Sequence, residues 1–184
     1  MIHCITLYNL IKFDNVPNLK TSNFTKTNDY KHDINICFTN KKRKEINEIK
    51  MNELYKKNKC RTGLKLAALS YDERSQDVIL NKGMPIICKV NNEDMGLINN
   101  QRFKIIKLGV FTITIEDDMG NKKDINHNEF QKYFLVGYGC TIHSAQGMSI
   151  DAPYTIHEWD RLDQRLKHVS LSRSRDISYI HIMD

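Results

Sequence analysis

The run YFLVGYGC, residues 133–140, passes without a break into TIHSAQGMSI, residues 141–150. No other stretch limits the fold as much. An apolar and aromatic run too short for a core helix, ending in small residues, predicts a buried strand. The polar residues that follow predict a turn and the start of a helix. A buried strand followed by a polar turn and a helix is a unit of a parallel sheet, and ligands collect at the carboxyl ends of such strands. Taken alone, the stretch allows two readings: a turn that meets a phosphate, or a small-residue turn in a core.

The other periodic segments fit the same sheet on either side of one interruption. INICF, residues 34–38, predicts a short buried strand, and KKRKEINEIKMNELYKK after it predicts a helix capped by Thr39 or Asn40. Ile46, Ile49 and Leu54 mark the helix's buried stripe, with Met51 near its edge and lysines over the rest. YTIHEW, residues 154–159, is another strand. Residues 160–175 predict a helix capped by Asp160, with Leu162, Leu166 and Val169 on one face, and SYIHIM, residues 178–183, closes as a strand. Residues 1–13 predict a short amphipathic helix, residues 14–33 a loop, and residues 58–82 a polar connection.

From Gly83 the texture changes. MPIICKV, RFKIIKL and VFTITIED are strand-like, with NNEDMGLINN and DDMGNKKD as turns between them. These predict a small β-barrel or curled sheet, too small to hold much core alone and so packed on a host. The predicted fold class is α/β: a mostly parallel sheet flanked by helices over residues 1–83 and 133–184, with the small barrel inserted at 84–132.

Composition removes several function classes. The 184 residues carry 28 Lys+Arg against 22 Asp+Glu, a net charge of +6, which permits a polyanionic partner without requiring one. The 5 cysteines are odd in number and contain no CxxC pair, against a disulfide framework or a zinc site and in keeping with a reducing, intracellular compartment. No apolar run reaches the roughly 18 residues of a membrane span. The first residues lack a signal peptide's basic and small-residue features. The Asn, Ile and Lys content suits an AT-rich genome, such as that of a large DNA virus, which would place the chain in a viral factory or host cytoplasm.

Chemistry gathers at three strand-to-helix junctions. Thr39 and Asn40 offer a hydroxyl and a carboxamide at a helix start, where they donate to a phosphate or simply cap the helix. Thr141, His143, Ser144 and Gln146 can bond a phosphate or sugar, with Gly147 allowing close backbone approach, while His143 alone equally suits a structural histidine. Arg173 and Arg175 near a helix end either complement the helix dipole or reach across a cleft to a triphosphate. No GxxxxGK[ST] loop occurs, and no acidic pair sits at a strand end to hold magnesium; Glu93 and Asp94 fall in a turn. The predicted metal set is empty, and the chain is not expected to hydrolyse ATP alone.

Together the junctions resemble the conserved motifs of superfamily 1 helicases. GYGCTIHSAQGMSID resembles the fifth motif, T-[IV]-H-x-[SA]-Q-G after an apolar strand, and HVSLSRSRD resembles the sixth, [YH]-V-A-[LV]-[ST]-R. ICFTNKKRKEIN resembles the fourth. KGMPIICKVNNEDMGLINNQRFKII resembles the segment leading into the small Src-homology-like barrel of the RecD and Pif group. The resemblance runs from about residue 34 to the C-terminus, with order and spacing kept. Gln101 stands where the family has Gly, Ser144 replaces a frequent Lys or Arg, and Lys41 follows Thr39-Asn40 where relatives place an arginine.

The resemblance implies the second, C-terminal RecA-like domain of an ATP-dependent DNA helicase with a UvrD-like C-terminal half. It makes Arg173 the finger that meets the ATP γ-phosphate. It makes Thr141, His143, Ser144, Thr39 and Asn40 contacts to single-stranded DNA, and puts Gln146, Gly147 and Ser149 near the nucleotide. ATP and Mg2+ would be held only with a separate N-terminal RecA-like domain that carries the phosphate loop; none is expected on this chain alone. Replication, repair and recombination are all open to such a motor. Two other readings stand beside it: a stand-alone single-stranded nucleic-acid-binding module without motor activity, and a degenerate scaffold protein.

Overall fold

The computed structural model describes residues 24–27, 29–58 and 63–183, so the helix expected at 1–13 and most of the loop after it lie outside the described residues. Contacts divide the chain into two compact units, one formed by residues up to Ile46 and from Gly139 onward, the other by Asn47–Tyr138.

The first unit is built on a five-stranded sheet in the order β1-β12-β11-β2-β10. The strands are β1 (Thr25–Lys26), β2 (Ile34–Cys37), β10 (Gly139–Thr141), β11 (Tyr154–His157) and β12 (Ile180–Met183). Every pairing is parallel. Residues in register point to one face, and the alternation sorts them cleanly. Ile34, Ile36, Tyr154, Ile156, Ile180 and Ile182 share the apolar face. Helix α3 (Gln164–Leu171) covers it, with the Tyr154 hydroxyl donating to the Ser170 carbonyl at 2.9 Å. Asn35, Thr155, His181 and Gly139 share the other face. Helix α1 (Asn40–Lys57) lies there, so close that a Cβ on Gly139 would meet the Arg43 carbonyl at 3.2 Å and the Ile46 side chain at 3.3 Å. Helices thus flank a parallel sheet, the RecA-like α/β arrangement that the sequence predicts.

The face under α1 is polar. His157 Nε2 shares a hydrogen bond with Asn35 Oδ1 at 2.9 Å, and the Asn35 amide donates to the His32 carbonyl at 2.9 Å. The ring of Tyr30 stacks on His157 at 5.6 Å. Along α1, Arg43, Asn47 and Lys50 are buried as well as Ile46 and Met51, and the Asn47 amide donates to the Val136 carbonyl at 3.0 Å. Ile49 and Leu54 are only half-buried, so the stripe is rotated from its expected line. Apolar periodicity misplaces it because three of the five buried positions are polar.

The second unit contains the C-terminal part of α1, a hairpin and a five-stranded antiparallel sheet. The hairpin pairs β3 (Leu64–Leu66) with β4 (Val78–Leu80), inside the segment expected to be a plain connection. The sheet runs β8-β7-β6-β5-β9. Its strands are β5 (Pro85–Cys88), β6 (Arg102–Leu108), β7 (Thr112–Asp117), β8 (Lys122–Asn126) and β9 (Phe134–Val136). A bulge between Ile105 and Lys107 raises the local twist. Met84, Ile86, Phe103, Ile105, Ile113, Ile115, Phe130 and Phe134 are its core. The short helix α2 (His127–Tyr133) leads into β9.

YFLVGYGC is therefore not one strand. Its first part, β9, is antiparallel to β5, and its last part, β10, is parallel to β2. Gly137 makes the exit possible: its N–H donates to the Pro85 carbonyl at 2.8 Å, and a Cβ would meet Ile86 N at 3.1 Å. The predicted helix of residues 160–175 also shortens. Trp159–Arg161 form a 3-10 turn that takes in Asp160, and Asp163 is the cap of α3, its carboxylate accepting from Leu166 N at 2.7 Å.

Two outcomes test this packing. Gly139→Ala should destabilise the chain by about 1–3 kcal/mol in denaturant unfolding, because the backbone carbonyl of Arg43 leaves no room for a methyl. The second concerns pH. Burial, reinforced by the Lys42 ammonium, lowers the His157 pKa from 6.5 to about 4. The unfolded chain takes up a proton at this position near pH 6.5 that the folded sheet refuses until about 4. Stability is therefore full above pH 6.5 and falls as pH drops from there to about 4. The loss is on the order of 3 kcal/mol for this group, and His157→Gln should flatten that part of the pH profile.

Candidate nucleic-acid and nucleotide interface

Three parallel strands end side by side. β2 lies between β11 and β10, with Thr141 in register with Cys37. The segments leaving these strands therefore emerge along one sheet edge, the place where parallel sheets bind ligands.

At the end of β2, Thr39 starts α1 and its hydroxyl caps it, accepting from Lys42 N at 3.1 Å. The N–H groups of the two residues just before the helix are met by a carboxylate. Glu158, the residue after β11, accepts from Phe38 N at 3.0 Å, Thr39 N at 2.9 Å and the Thr39 hydroxyl at 3.0 Å. Arg161 closes the cluster with an ion pair to the same carboxylate. Glu158 holds φ 58°, a left-handed conformation that a non-glycine residue adopts at a cost. Asn40 turns elsewhere, its Oδ1 accepting from Arg43 Nε at 3.2 Å. The sequence carries no sign of Glu158's role, because only the strand order brings the end of β11 beside the end of β2.

At the end of β10 the chain makes hydrogen-bonded turns over residues 142–147 rather than the expected helix start. The Thr141 hydroxyl lies 3.0 Å from the Ser144 hydroxyl and accepts from Ser144 N at 3.3 Å. Ile142, Ala145 and Ile150 anchor the turn in the core, at 1%, 0% and 2% exposure. His143, Gln146, Gly147 and Ser149 are exposed. Gly147 has φ +86°, which glycine adopts without strain. This turn is both a core turn and an exposed polar surface, with buried and exposed residues interleaved.

After α3, Arg173 folds onto that turn. Its guanidinium donates to the carbonyls of Met148 at 3.2 Å, Ala145 at 3.4 Å and Val169 at 2.9 Å, and to the Ser172 hydroxyl at 2.8 Å. Ile150 N donates to the Arg173 carbonyl at 2.8 Å. The structure thus joins the second and third predicted junctions directly. Thr39 belongs to a separate cluster around Glu158, and Asn40 pairs with Arg43. Among the described residues, no group of three His, Cys, Asp or Glu could hold a metal ion, and no helix is long and apolar enough to cross a membrane.

No family model and no curated relative matches the sequence. Solved structures do match in fold. A Pif1 helicase structure from work on unwinding of forked double-stranded DNA superposes with a TM-score of 0.71 at 19% identity, covering 98% of this chain and 46% of that one. Bacteroides Pif1 bound to single-stranded DNA gives 0.67 at 19% identity, with 99% and 49% covered. Pif1 helicase from Candida albicans gives 0.65 at 10% identity, with 100% and 53% covered. The chain spans about half the length of these helicases and has the fold of that half.

Replacing Glu158 isolates its contribution. Glu158→Ala removes an acceptor from Phe38 N and Thr39 N, whose donors are part-buried, and should lower stability by about 1–3 kcal/mol. Glu158→Gln keeps one oxygen acceptor and should lose less; equal losses in urea denaturation would contradict the charge-assisted account.

Proposed function

We propose that this chain is the C-terminal RecA-like half of an ATP-dependent DNA helicase of the RecD/Pif-like group, with residues 84–132 as its small inserted barrel. One observation carries the proposal: Arg173 is bonded to the carbonyls of the turn that presents His143 and Gln146. The nucleotide-facing arginine and the polynucleotide-facing turn are one mechanical piece. The Pif1 neighbours, among them structures described as bound to single-stranded DNA and as complexed with ADP-AlF3 and single-stranded DNA, support the same assignment.

In this role ATP and Mg2+ sit on a separate N-terminal RecA-like domain that carries the phosphate loop, and supply the phosphoryl-transfer chemistry there. The residues of this chain act around that centre. Arg173 is half-buried and bound only to neutral oxygens. Its charge is uncompensated by those contacts, so a developing negative charge competes for it strongly. Moving the guanidinium releases the carbonyls of Ala145 and Met148, and the turn they belong to can shift. Thr141 and Ser144 then act as hydroxyl donors, and His143 as a side-chain donor, to the sugar-phosphate backbone. Gln146, Gly147 and Ser149 lie on the segment between the two functions. Contacts of this type hold a strand without reading its sequence and weaken with salt.

Thr39 and Asn40 belong to the grip in a less direct way. Glu158 and Arg43 hold them, so they position the β2 end, and a phosphate would reach them only by displacing the carboxylate.

The test mixes this chain with an N-terminal domain that carries a phosphate loop. Single-stranded DNA should stimulate ATP hydrolysis, and Arg173→Ala should cut the stimulated rate by about 10³-fold or more while nucleotide affinity is largely kept. An unchanged rate would remove the finger assignment. Strand binding by this chain with no stimulation of any such partner would favour the stand-alone binding module.

A further inference from the structure

Beside the turn of residues 141–150 lies a cavity of about 260 Å³. Its rim carries His143 and Gln146 from the turn and Arg165 from the first turn of α3, and its lining includes Leu166 and Val169 from the same helix. Resting on the helicase reading above, we propose that this cavity is a subsite for one nucleotide of single-stranded DNA, in which Arg165 binds the phosphate and the aliphatic lining receives the base.

Four observations converge. First, the side chains of His143, Gln146 and Arg165 are exposed and make no hydrogen bond or ion pair with the described residues. Other cations of the same unit are engaged: Lys42 with Glu45, Arg161 with Glu158, and Arg173 with the turn. Arg165 is a guanidinium fork on the cavity lining without an ion pair of its own among the described residues, and such a fork matches phosphate geometry. Second, the size is suitable. At about 260 Å³ the cavity lies at the low end of ligand cavities and has room for one ring. Third, Leu166 and Val169 are half-buried, leaving an aliphatic surface that any base can cover without being read. Fourth, Asp163 fixes the orientation. Its carboxylate also lines the cavity while capping α3, so a phosphate is repelled there and must lie on the Arg165 side.

Arg165 carries no local sequence signal: it precedes the segment that resembles the sixth motif, in a helix whose pattern marks only Leu162, Leu166 and Val169. The site exists only because the turn after β10 and the start of α3 face each other across the cavity.

The test measures binding of fluorescein-labelled oligothymidylate to the full chain by anisotropy across a salt series. Arg165→Ala should weaken binding about three- to tenfold at low salt and reduce the slope of log affinity against log salt by about 0.7. Arg165→Lys should keep the slope. An abasic oligomer of equal charge should bind the unmodified chain several-fold more weakly than oligothymidylate. If Arg165→Ala binds with unchanged affinity and slope while His143→Ala loses affinity, the grip stands and this subsite falls. If the abasic oligomer or polyglutamate of equal charge binds as tightly as oligothymidylate, the cavity takes no base and the subsite is equally overturned. If the unmodified chain binds no oligothymidylate, both this subsite and the helicase grip fall.

Discussion

The guanidinium of Arg173 is the tie on which the candidate site depends. It gathers carbonyl oxygens from the turn after β10 and from the end of α3, and the backbone bond between Ile150 and Arg173 closes the same loop. Without that tie the turn would keep its buried Ile142, Ala145 and Ile150 and its own backbone hydrogen bonds, but no side-chain link to α3. With it, any force on the arginine reaches the residues that face solvent on the turn. A hydrogen bond to a charged group is worth about 1.5–3 kcal/mol, enough to bias a small surface segment between two arrangements.

A second, independent cluster organises the neighbouring strand end. Glu158, in a left-handed conformation, accepts from the N–H groups of Phe38 and Thr39 just before α1, and Arg161 balances its charge. A helix N-terminus left empty would invite any anion. Here an internal carboxylate sits just before it and disfavours a second anion, while the exposed side chains of His143, Gln146 and Arg165 lie on the turn after β10 and on α3.

Much of this was legible in the sequence, and the gaps have physical causes. The parallel strands β2, β11 and β12 are short apolar runs and announce themselves. So do the order of the three junctions and the exposure of His143 and Gln146. The split of YFLVGYGC into two strands in two sheets was not legible, because a buried strand of either kind is apolar throughout and only the close approach at Gly137 marks the break. The stripe of α1 was misplaced because Arg43, Asn47 and Lys50 are among its buried residues, and apolar periodicity does not count them. The cap of α3 moved from Asp160 to Asp163 because a 3-10 turn intervenes, and both aspartates satisfy the local rule. Glu158 acquires its role only through contacts between distant segments, and Arg165 comes beside the turn only through the fold, which no local pattern encodes.

Mechanical unity of Arg173 and the turn is the central claim, and a double-mutant cycle measures it. Single-stranded DNA affinity of the full chain is compared for Arg173→Ala, His143→Ala and the double variant. The two side chains act through one turn, so the effects should be non-additive by at least about 0.5 kcal/mol. Strict additivity would mean that arginine and turn are merely adjacent, and would contradict the coupling proposed here.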